Sequence, residues 1–327
     1  MGRTILLILG LALALFTASW AGLYLGSGNV TPSQVTAALT GAADPSTTAV
    51  VLELRLPRTL IGLVVGAALG LAGGLTQLHT RNPLADPGLI GVTAGAGFGV
   101  VAALAVLDLR NPATHPWFAL IGALVAGAIV LALTARITVF EPMTTLVLTG
   151  AVVSALLGSA TTAVVLMFPD TMKSFQFWSV GALADRPLSA LIVALPFILL
   201  GLLLALCNLP AWPSLELGEN LAASLGRPVL RDRLVGLGAV VLLASGATSV
   251  AGSVGFLGLL APHLANRLLP GSPTGRVLLA APLGALLLVV ADIAGRVVLP
   301  TGEVSVGIML AIVGAPLFVI IARRITR

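Results

Sequence analysis

The sequence predicts an all-α, polytopic membrane protein with about ten transmembrane helices, for three reasons. Hydrophobic residues make up 58% of the 327 residues and charged residues only 9%, whereas soluble domains carry about 25% charged residues. The mean hydropathy is +1.10. At least nine apolar stretches approach or exceed the roughly 20 residues that cross a bilayer as a helix. A soluble enzyme, a disulfide scaffold and a disordered chain are therefore excluded.

The apolar runs are separated by prolines, glycines and single charges. The first run follows Arg3, and Ser19-Trp20-Ala21 is similar to a signal-peptide cleavage site. Because everything after it is also membrane-embedded, we interpret it as an uncleaved first span. Prolines end the second span, and Gly88 permits a tight turn before the third. Within a single transmembrane domain, residues 1–327, the predicted spans are 5–25, 57–78, 89–107, 117–138, 143–168, 187–207, 234–252, 254–269, 277–299 and 304–322.

The basic residues predict that both termini are cytoplasmic. An even number of helices places the termini on one side, and this orientation puts eleven basic residues inside and six outside, in agreement with the positive-inside rule. The exceptions include Arg55 and Arg58 at the outer end of the second span and Arg296 at the end of the ninth. These arginines either snorkel or pair locally, Arg296 with Asp292 one turn earlier, or they form an external docking surface for an acidic partner.

Composition also excludes several kinds of site. The arginines are scattered singly between apolar runs, so we expect no nucleic-acid partner. A single cysteine, Cys207, forbids an internal disulfide and a cysteine metal cluster, and the three histidines are far apart in the sequence. The single lysine, Lys173, is not preceded by the glycines of a phosphate-binding loop. We therefore expect no catalytic residue, metal site or cofactor in this chain, and any ATP that drives it must bind another chain.

Small residues recur at four-residue spacing in three spans, a pattern that lets helix backbones pack closely in lipid. Close packing is the simplest interpretation of the stripes in the second and third spans, which are Gly66, Gly70 and Gly74, and Gly91, Gly95 and Gly99. The stripe of the fifth span differs because hydroxyl groups accompany it. We predict that this span lines a substrate pathway, with Gly150, Ser154, Gly158 and Thr161 as the candidate residues.

The polar segment between the sixth and seventh spans predicts one or two short interfacial helices. Residues 215–227 contain helix-forming residues on either side of glycines, and their mixed charge favours a protein partner over anionic lipid. The alternative is that such helices simply lie on the bilayer. A second cytoplasmic segment, residues 81–91, is also too specific in sequence to be a mere connector.

Several motifs together resemble the iron-siderophore, haem and vitamin B12 permease family of ABC importers. The resemblance runs from about residue 50 to the C-terminus, and the stretch around Ala291 to Val306 is most similar to ferric enterobactin permease subunits. The motifs are Arg55-Leu56-Pro57-Arg58, the run from Arg81 to Gly88, the run from Leu217 to Gly226, the run from Gly255 to His263, Ala291-Asp292 with Arg296, and Gly314-Ala315-Pro316.

The resemblance implies the fold of the vitamin B12 permease, in which an inverted repeat relates spans two to five to spans seven to ten. It implies two cytoplasmic ATPase subunits that bind ATP and Mg, a second permease subunit that is either a paralogue or an identical copy, and an extracytoplasmic substrate-binding protein. It places the complex in the cytoplasmic membrane of a prokaryote. By the same resemblance, Arg55, Arg58 and Arg296 dock the binding protein, and the residues that couple to the ATPase are Glu216, Gly218, Glu219, Asn220, Leu221, Ala222 and Gly226.

The expected function is ATP-driven import of a ferric siderophore by alternation between outward-open and inward-open states. Haem or cobalamin import by the same machinery is an alternative. A secondary transporter driven by an ion gradient is an alternative of another class, which the shortage of intramembrane charge disfavours, since only Asp292 is a candidate coupling group. A structural scaffold or channel component is a further alternative, and it predicts no stimulation of ATPase activity by a binding protein.

Overall fold

The computed structural model describes residues 2–26, 30–107, 114–137, 142–299 and 302–325. These residues form helices and connecting turns without strands, which confirms the all-α class. The α-helices are α1 (Gly2–Tyr24), α2 (Pro32–Leu39), α3 (Pro45–Ala49), α4 (Leu56–Thr80), α5 (Val92–Val106), α6 (His115–Arg136), α7 (Pro142–Met167), α8 (Thr171–Ser179), α9 (Leu188–Cys207), α10 (Trp212–Glu216), α11 (Glu219–Ser224), α12 (Val229–Ala251), α13 (Leu257–Leu268), α14 (Pro273–Val297) and α15 (Val306–Ile325).

Seven of the described helical stretches are long and apolar enough to cross a bilayer. Two shorter apolar stretches lie in α5 and α15. Helix α13 has 12 residues, which span about 18 Å at 1.5 Å per residue, so it does not cross a bilayer by itself. These ten stretches follow the order of the ten predicted spans, and the count of ten is approximate because α13 falls short of a full crossing.

The helix of the second predicted span begins at Pro45, twelve residues before the predicted start at residue 57. Helix α3, a π-helical turn over Val50–Arg55 and α4 run together without a break. The Leu56 amide donates to the Val51 carbonyl, five residues back, and the wider π turn of this kind is often found at functional sites. Pro57, where the second span was predicted to begin, therefore lies inside a continuous helix.

Asp44 caps the beginning of this long helix. Its carboxylate accepts hydrogen bonds from the Thr47 amide at 3.0 Å and the Thr47 hydroxyl at 2.7 Å, and from the Ser46 hydroxyl. The hydrogen bond from the Ser46 hydroxyl has the largest effect on the pKa of Asp44, and the bond from the Thr47 hydroxyl adds to it. Together they hold this pKa well below its usual range. The cap satisfies amides at the helix N-terminus that have no partner within the helix.

Helices α5 and α13, which are the second helices of the two predicted repeats, each follow a residue in the left-handed region. Gly91 precedes α5 with φ +79°, and Phe256 precedes α13 with φ +64°. A bulky residue at positive φ is strained, and its ring needs room. Gly314 of α15 supplies it, because a Cβ atom there would lie 2.7 Å from the Phe256 Cβ.

The glycine stripes bring helix backbones into direct contact. A Cβ atom on Gly66 of α4 would lie 2.5 Å from the Gly284 carbonyl oxygen of α14, and Gly70 faces the same stretch of α14. In the same way Gly99 of α5 faces Phe118 and Gly122 of α6. Helix α4, packed against α12, α13 and α14, is the centre of the described bundle.

Candidate functional site

The three arginines predicted to dock a partner lie together at one end of the bundle. Arg55 ends the π-helical turn, Arg58 lies in the first turn of α4, and Arg296 lies in the last turn of α14. Asp292 of α14 and Glu303, from the connection between α14 and α15, complete the group. We call these five residues the arginine cluster.

Asp292 is the centre of the arginine cluster. Arg58 donates to it from Nε at 3.0 Å and from Nη2 at 2.8 Å, and Arg296 donates from Nε at 2.9 Å and also from Nη2. Asp292 is only 2% exposed. A carboxylate so deeply buried needs charged partners, and here two arginines supply them. The predicted local pair between Arg296 and Asp292 is therefore present, with Arg58 added across the helix interface.

Arg55 and Arg296 are also fixed to the end of α1. Arg55 Nη1 donates to the Leu23 carbonyl at 2.9 Å, and Arg296 Nη1 donates to the Gly22 carbonyl at 2.8 Å. Both arginines are almost completely buried, with 5% and 4% of their surface exposed. They brace three helix ends against each other, whereas Arg58 is the most accessible of the three arginines.

Two cavities, each of about 480 Å³, flank Arg58 and Glu303. The first reaches Arg55, Arg296 and Glu53, and the second reaches the start of α15. Asp185 and Arg186, from the turn before α9, line both cavities. The arrangement forms a polar depression with alternating charges, in which an acidic or basic side chain from another protein could find a partner.

The segment between α9 and α12 contains two short α-helices, within the predicted one or two, and a 3-10 turn before them. A 3-10 turn over Leu209–Ala211 leads into α10, and α11 follows. Gly218, with φ +106°, precedes α11, and Gly226, with φ +78°, follows it, so both of these predicted coupling residues adopt conformations that favour glycine. Of the other predicted coupling residues, Glu216 ends α10, Glu219, Asn220, Leu221 and Ala222 belong to α11, and Leu221 is half exposed.

This segment, which we call the coupling segment (residues 209–227), is tied to the bundle by two ion pairs. Glu216 pairs with Arg276 in the first turn of α14, and Arg276 Nη1 also donates to Asn266 Oδ1 of α13 at 2.9 Å. Arg227 pairs with Asp232 of α12 at 2.9 Å. The first pair lines a cavity of about 310 Å³ between the coupling segment, α4 and α13. The pair between Glu216 and Arg276 thus joins α10 to the first turn of α14.

The loop over residues 81–91 lies at the same end of the bundle as the coupling segment, where Arg81 and Pro83 line a cavity together with Glu216. Asp86 caps a 3-10 turn over Pro87–Ile90 and accepts a hydrogen bond from the Gly88 amide at 2.8 Å. Burial raises the pKa of Asp86, and the Gly88 hydrogen bond opposes this effect. Gly258 of α13 lies against Asp86 and Pro87, so the loop joins the two halves of the chain.

The four residues proposed for the pathway lie on one side of α7 but differ in what surrounds them. Gly150 is buried against the Leu89 carbonyl, Ser154 is half-buried near Gly91, and Thr161 is buried with its hydroxyl bonded to the Leu157 carbonyl at 2.7 Å. Only Gly158 is exposed, with no atom within 4 Å of the place where a Cβ would stand. Some residues of the predicted stripe therefore pack inside the bundle, and Gly158 lies on an open face of α7.

The open face of α7 has a small edge and a bulky edge. At 100° per residue, Ala151, Ala155, Gly158 and Thr162 share one edge, and all four are exposed. The bulky edge beside it includes Val152 and Leu156, which are 68% and 67% exposed, whereas Val153 is buried. An edge of small side chains leaves clearance for a large solute or for a close-packed second subunit.

Sequence reasoning missed two residues that the structure places at these sites. Glu303 lies 245 positions from Arg58, and Arg276 lies 60 positions from Glu216. Arg276 is one of the eleven basic residues that the sequence places inside, and the sequence gives it no partner. Among the described residues, no group of three or more His, Cys, Asp or Glu side chains could hold a metal ion.

Comparison with known proteins identifies the family. The FecCD transport family matches residues 11–324. This chain belongs to that family. The chain is 39% identical to the ferric enterobactin transport system permease protein FepD of Escherichia coli K12 over 321 residues, which cover 97% of this chain and 95% of FepD. It is 35% identical to the YfiZ protein of Bacillus subtilis 168, a siderophore transport system permease by its name, over 95% of this chain and 93% of that protein.

The fold is that of the family's transporters. A metal-chelate type ABC transporter in an inward-facing conformation superposes with a TM-score of 0.79 and 28% identity, covering 97% of this chain and 99% of that chain. This FecCD family chain is accordingly a multi-pass membrane protein and a permease component of an ABC importer. The similarity covers the first span as well as the region after residue 50.

Proposed function

We propose that this FecCD family permease imports a ferric siderophore of the enterobactin type. The observation that carries the proposal is the 39% identity to FepD along nearly the whole of both chains. The small, weakly polar edge of α7 also suits a bulky ferric chelate, because side chains such as Ala155 and Gly158 leave clearance without forming a tight binding site.

The proposal includes the partners of an ABC importer. Two cytoplasmic ATPase subunits bind ATP with Mg and act on the coupling segment through α11. A second permease subunit packs against the open face of α7, and a paralogue is favoured over an identical copy because FepD and FepG of Escherichia coli, both ferric enterobactin permeases by name, are 39% and 33% identical to this chain. An extracytoplasmic binding protein delivers the siderophore to the arginine cluster. This chain itself performs no catalysis.

The proposed orientation has both termini in the cytoplasm. It places the coupling segment inside, where the ATPase subunits are, and the arginine cluster outside, where the binding protein is. The excess of basic residues on the coupling-segment side supports it. Cysteine accessibility at an exposed position beside each site, Leu225 inside and Leu54 outside, tests the orientation in intact cells.

The function is tested by reconstituting this permease with its cognate subunits in proteoliposomes. We expect uptake of ferric enterobactin that requires both ATP and the binding protein, and no uptake under an ion gradient alone. Preferential uptake of haemin or cyanocobalamin would assign the alternative substrates. Uptake that follows an ion gradient without ATP would contradict the importer mechanism, and an ATPase indifferent to the binding protein would indicate a scaffold.

Docking is tested separately through Arg58. Glutamate at Arg55 or Arg296 would place a carboxylate against the carbonyl groups of α1, so a triple charge reversal would also disturb folding. Arg58→Gln removes a charge while Asp292 keeps Arg296 as its partner. We expect weaker and less salt-sensitive binding of the binding protein, with normal assembly and basal ATPase activity. Unchanged affinity would show that Arg58 takes no part in docking.

A further inference from the structure

We propose that Glu303 is an internal competitor for docking: it occupies the place on Arg58 that a carboxylate of the binding protein takes when it arrives. This inference rests on the proposed docking function of the arginine cluster and assigns a role to a residue that the docking arginines do not include. The binding protein then exchanges one carboxylate for another on Arg58 instead of finding a vacant cation.

The geometry of Arg58 divides its donors between two carboxylates. Asp292 occupies the edge formed by Nε and Nη2, and Glu303 Oε2 accepts from Nη1 at 2.6 Å. A guanidinium has five N–H donors in a fixed plane, so the two carboxylates sit at different parts of the same fork. Asp292 and Glu303 together engage three of these five donors, and Glu303 covers Nη1. An incoming carboxylate therefore competes with Glu303 for Nη1.

Glu303 is the partner that can leave. The Asp292 side chain is 3% exposed and is held by Arg296 as well as Arg58, whereas the Glu303 side chain is 24% exposed. The backbone beside Glu303 stays fixed during such a movement, because the Val304 amide donates to the Gly295 carbonyl at 3.0 Å. Rotation of the Glu303 side chain into water opens the Nη1 position.

The surroundings also favour Arg58 as the place of exchange. Arg58 and Glu303 line both 480 Å³ cavities, so an incoming side chain reaches their ion pair from either side. Arg55 and Arg296 each direct Nη1 at a carbonyl of α1. Of the three arginines, Arg58 is the one that an acidic side chain entering the depression can reach. Its partner Glu303 is also partly exposed.

Exchange avoids the cost of a buried unpaired charge. A partly buried arginine stripped of its partner is strongly unfavourable, but Arg58 retains Asp292 throughout and receives a new carboxylate as Glu303 departs. Docking at Arg58 then replaces one ion pair with another, so Arg58 is not left without a carboxylate at Nη1.

The test compares two matched variants that each remove one negative charge from the depression. Glu303→Gln removes the competitor, and Glu53→Gln changes the charge of the same cavity at a residue that is exposed on its rim. The Kd of the substrate-loaded binding protein is measured on the complete transporter, with its cognate subunits, in nanodiscs. We expect Glu303→Gln to tighten binding by about two- to tenfold, the range of a partly exposed ion pair, and Glu53→Gln by less than twofold.

The outcomes separate the inference from the docking proposal. If Arg58→Gln weakens binding and Glu303→Gln does not tighten it, docking at Arg58 stands and the competitor role is wrong. Equal tightening by Glu53→Gln and Glu303→Gln would also overturn it, because the effect would be general electrostatics. If Arg58→Gln leaves the Kd unchanged, docking itself is wrong. Glu303→Ala, checked by thermal stability, must agree in direction with Glu303→Gln.

Discussion

The contact between α4 and α14 allows a prediction whose size follows from the structure. In Gly66→Ala, the new Cβ would lie 2.5 Å from the Gly284 carbonyl oxygen, 2.7 Å from the Ala285 Cα and 2.9 Å from the Gly284 carbonyl carbon. Unstrained contact begins near 3.4 Å, so the two helices must separate by about 0.9 Å. All three atoms belong to the backbone and cannot rotate away.

Separating two close-packed helices removes dispersion contacts along their whole length, and overpacking of this kind costs about 1–3 kcal/mol. We therefore expect Gly66→Ala to lower the free energy of unfolding by that amount. Gly238→Ala is the matched control, because it makes the same change within α12 where no atom lies within 4 Å of the new Cβ. Because alanine has a higher helix propensity than glycine, we expect Gly238→Ala to raise the free energy of unfolding by between zero and about 1 kcal/mol.

The assay is equilibrium unfolding in mixed micelles, with the midpoint of thermal aggregation of the assembled transporter as an independent measurement. Gly66→Ala should be less stable than the unsubstituted protein by both, and Gly238→Ala should not. Equal stability of the two variants would refute the view that the glycine stripe is required for backbone contact, and would mean that α4 and α14 can separate without loss.

Two further predictions concern transport. Glu216→Arg or Arg276→Glu alone should lower transport per ATP hydrolysed by about two- to fivefold, the range expected for a largely exposed ion pair, and the double charge exchange should restore it; failure of the exchange would show that the pair carries no coupling. On α7, Gly158→Trp should block siderophore uptake in an assembled, ATPase-active complex, whereas Leu156→Trp, on the bulky edge at a similar depth, should transport normally. Equal sensitivity at Gly158 and Leu156 would indicate general misfolding, and uptake by Gly158→Trp would remove this edge from the pathway.

The fold was largely predictable from sequence because a bilayer imposes one simple rule, that apolar runs of sufficient length become helices. The rule fails where helix length departs from bilayer thickness. Helix α13 is short, and the second span extends back to Pro45 through a π-helical turn. Hydropathy does not encode either feature, since a proline at position 57 favours a helix start and the residues before it are only moderately apolar.

The candidate site residues were predictable as members of motifs, but their contacts with one another were not. Periodicity relates residues within one helix, so the pair between Asp292 and Arg296 at i and i+4 could be anticipated. Arg58 and Asp292 are 234 positions apart, and only the packing of α4 on α14 brings them together. For the same reason, the stripe from Gly150 to Thr161 appeared to be one surface, although the contact of Gly150 with the 81–91 loop and the internal hydrogen bond of Thr161 place those two residues against the bundle.

Helix α14 connects the two proposed partner sites. Arg276 in its first turn pairs with the coupling segment, and Asp292 and Arg296 near its last turn belong to the arginine cluster. Arg276 and Asp292 are 16 positions apart, which corresponds to about 24 Å of helix, most of the roughly 30 Å thickness of the hydrocarbon core. Because α4 carries Arg58 at the same end and contacts α14 through Gly66, a displacement of α10 reaches the Arg58 ion pairs through a single packed helix pair. We therefore expect Gly66→Ala to weaken the stimulation of ATPase activity by the binding protein even in complexes that remain assembled.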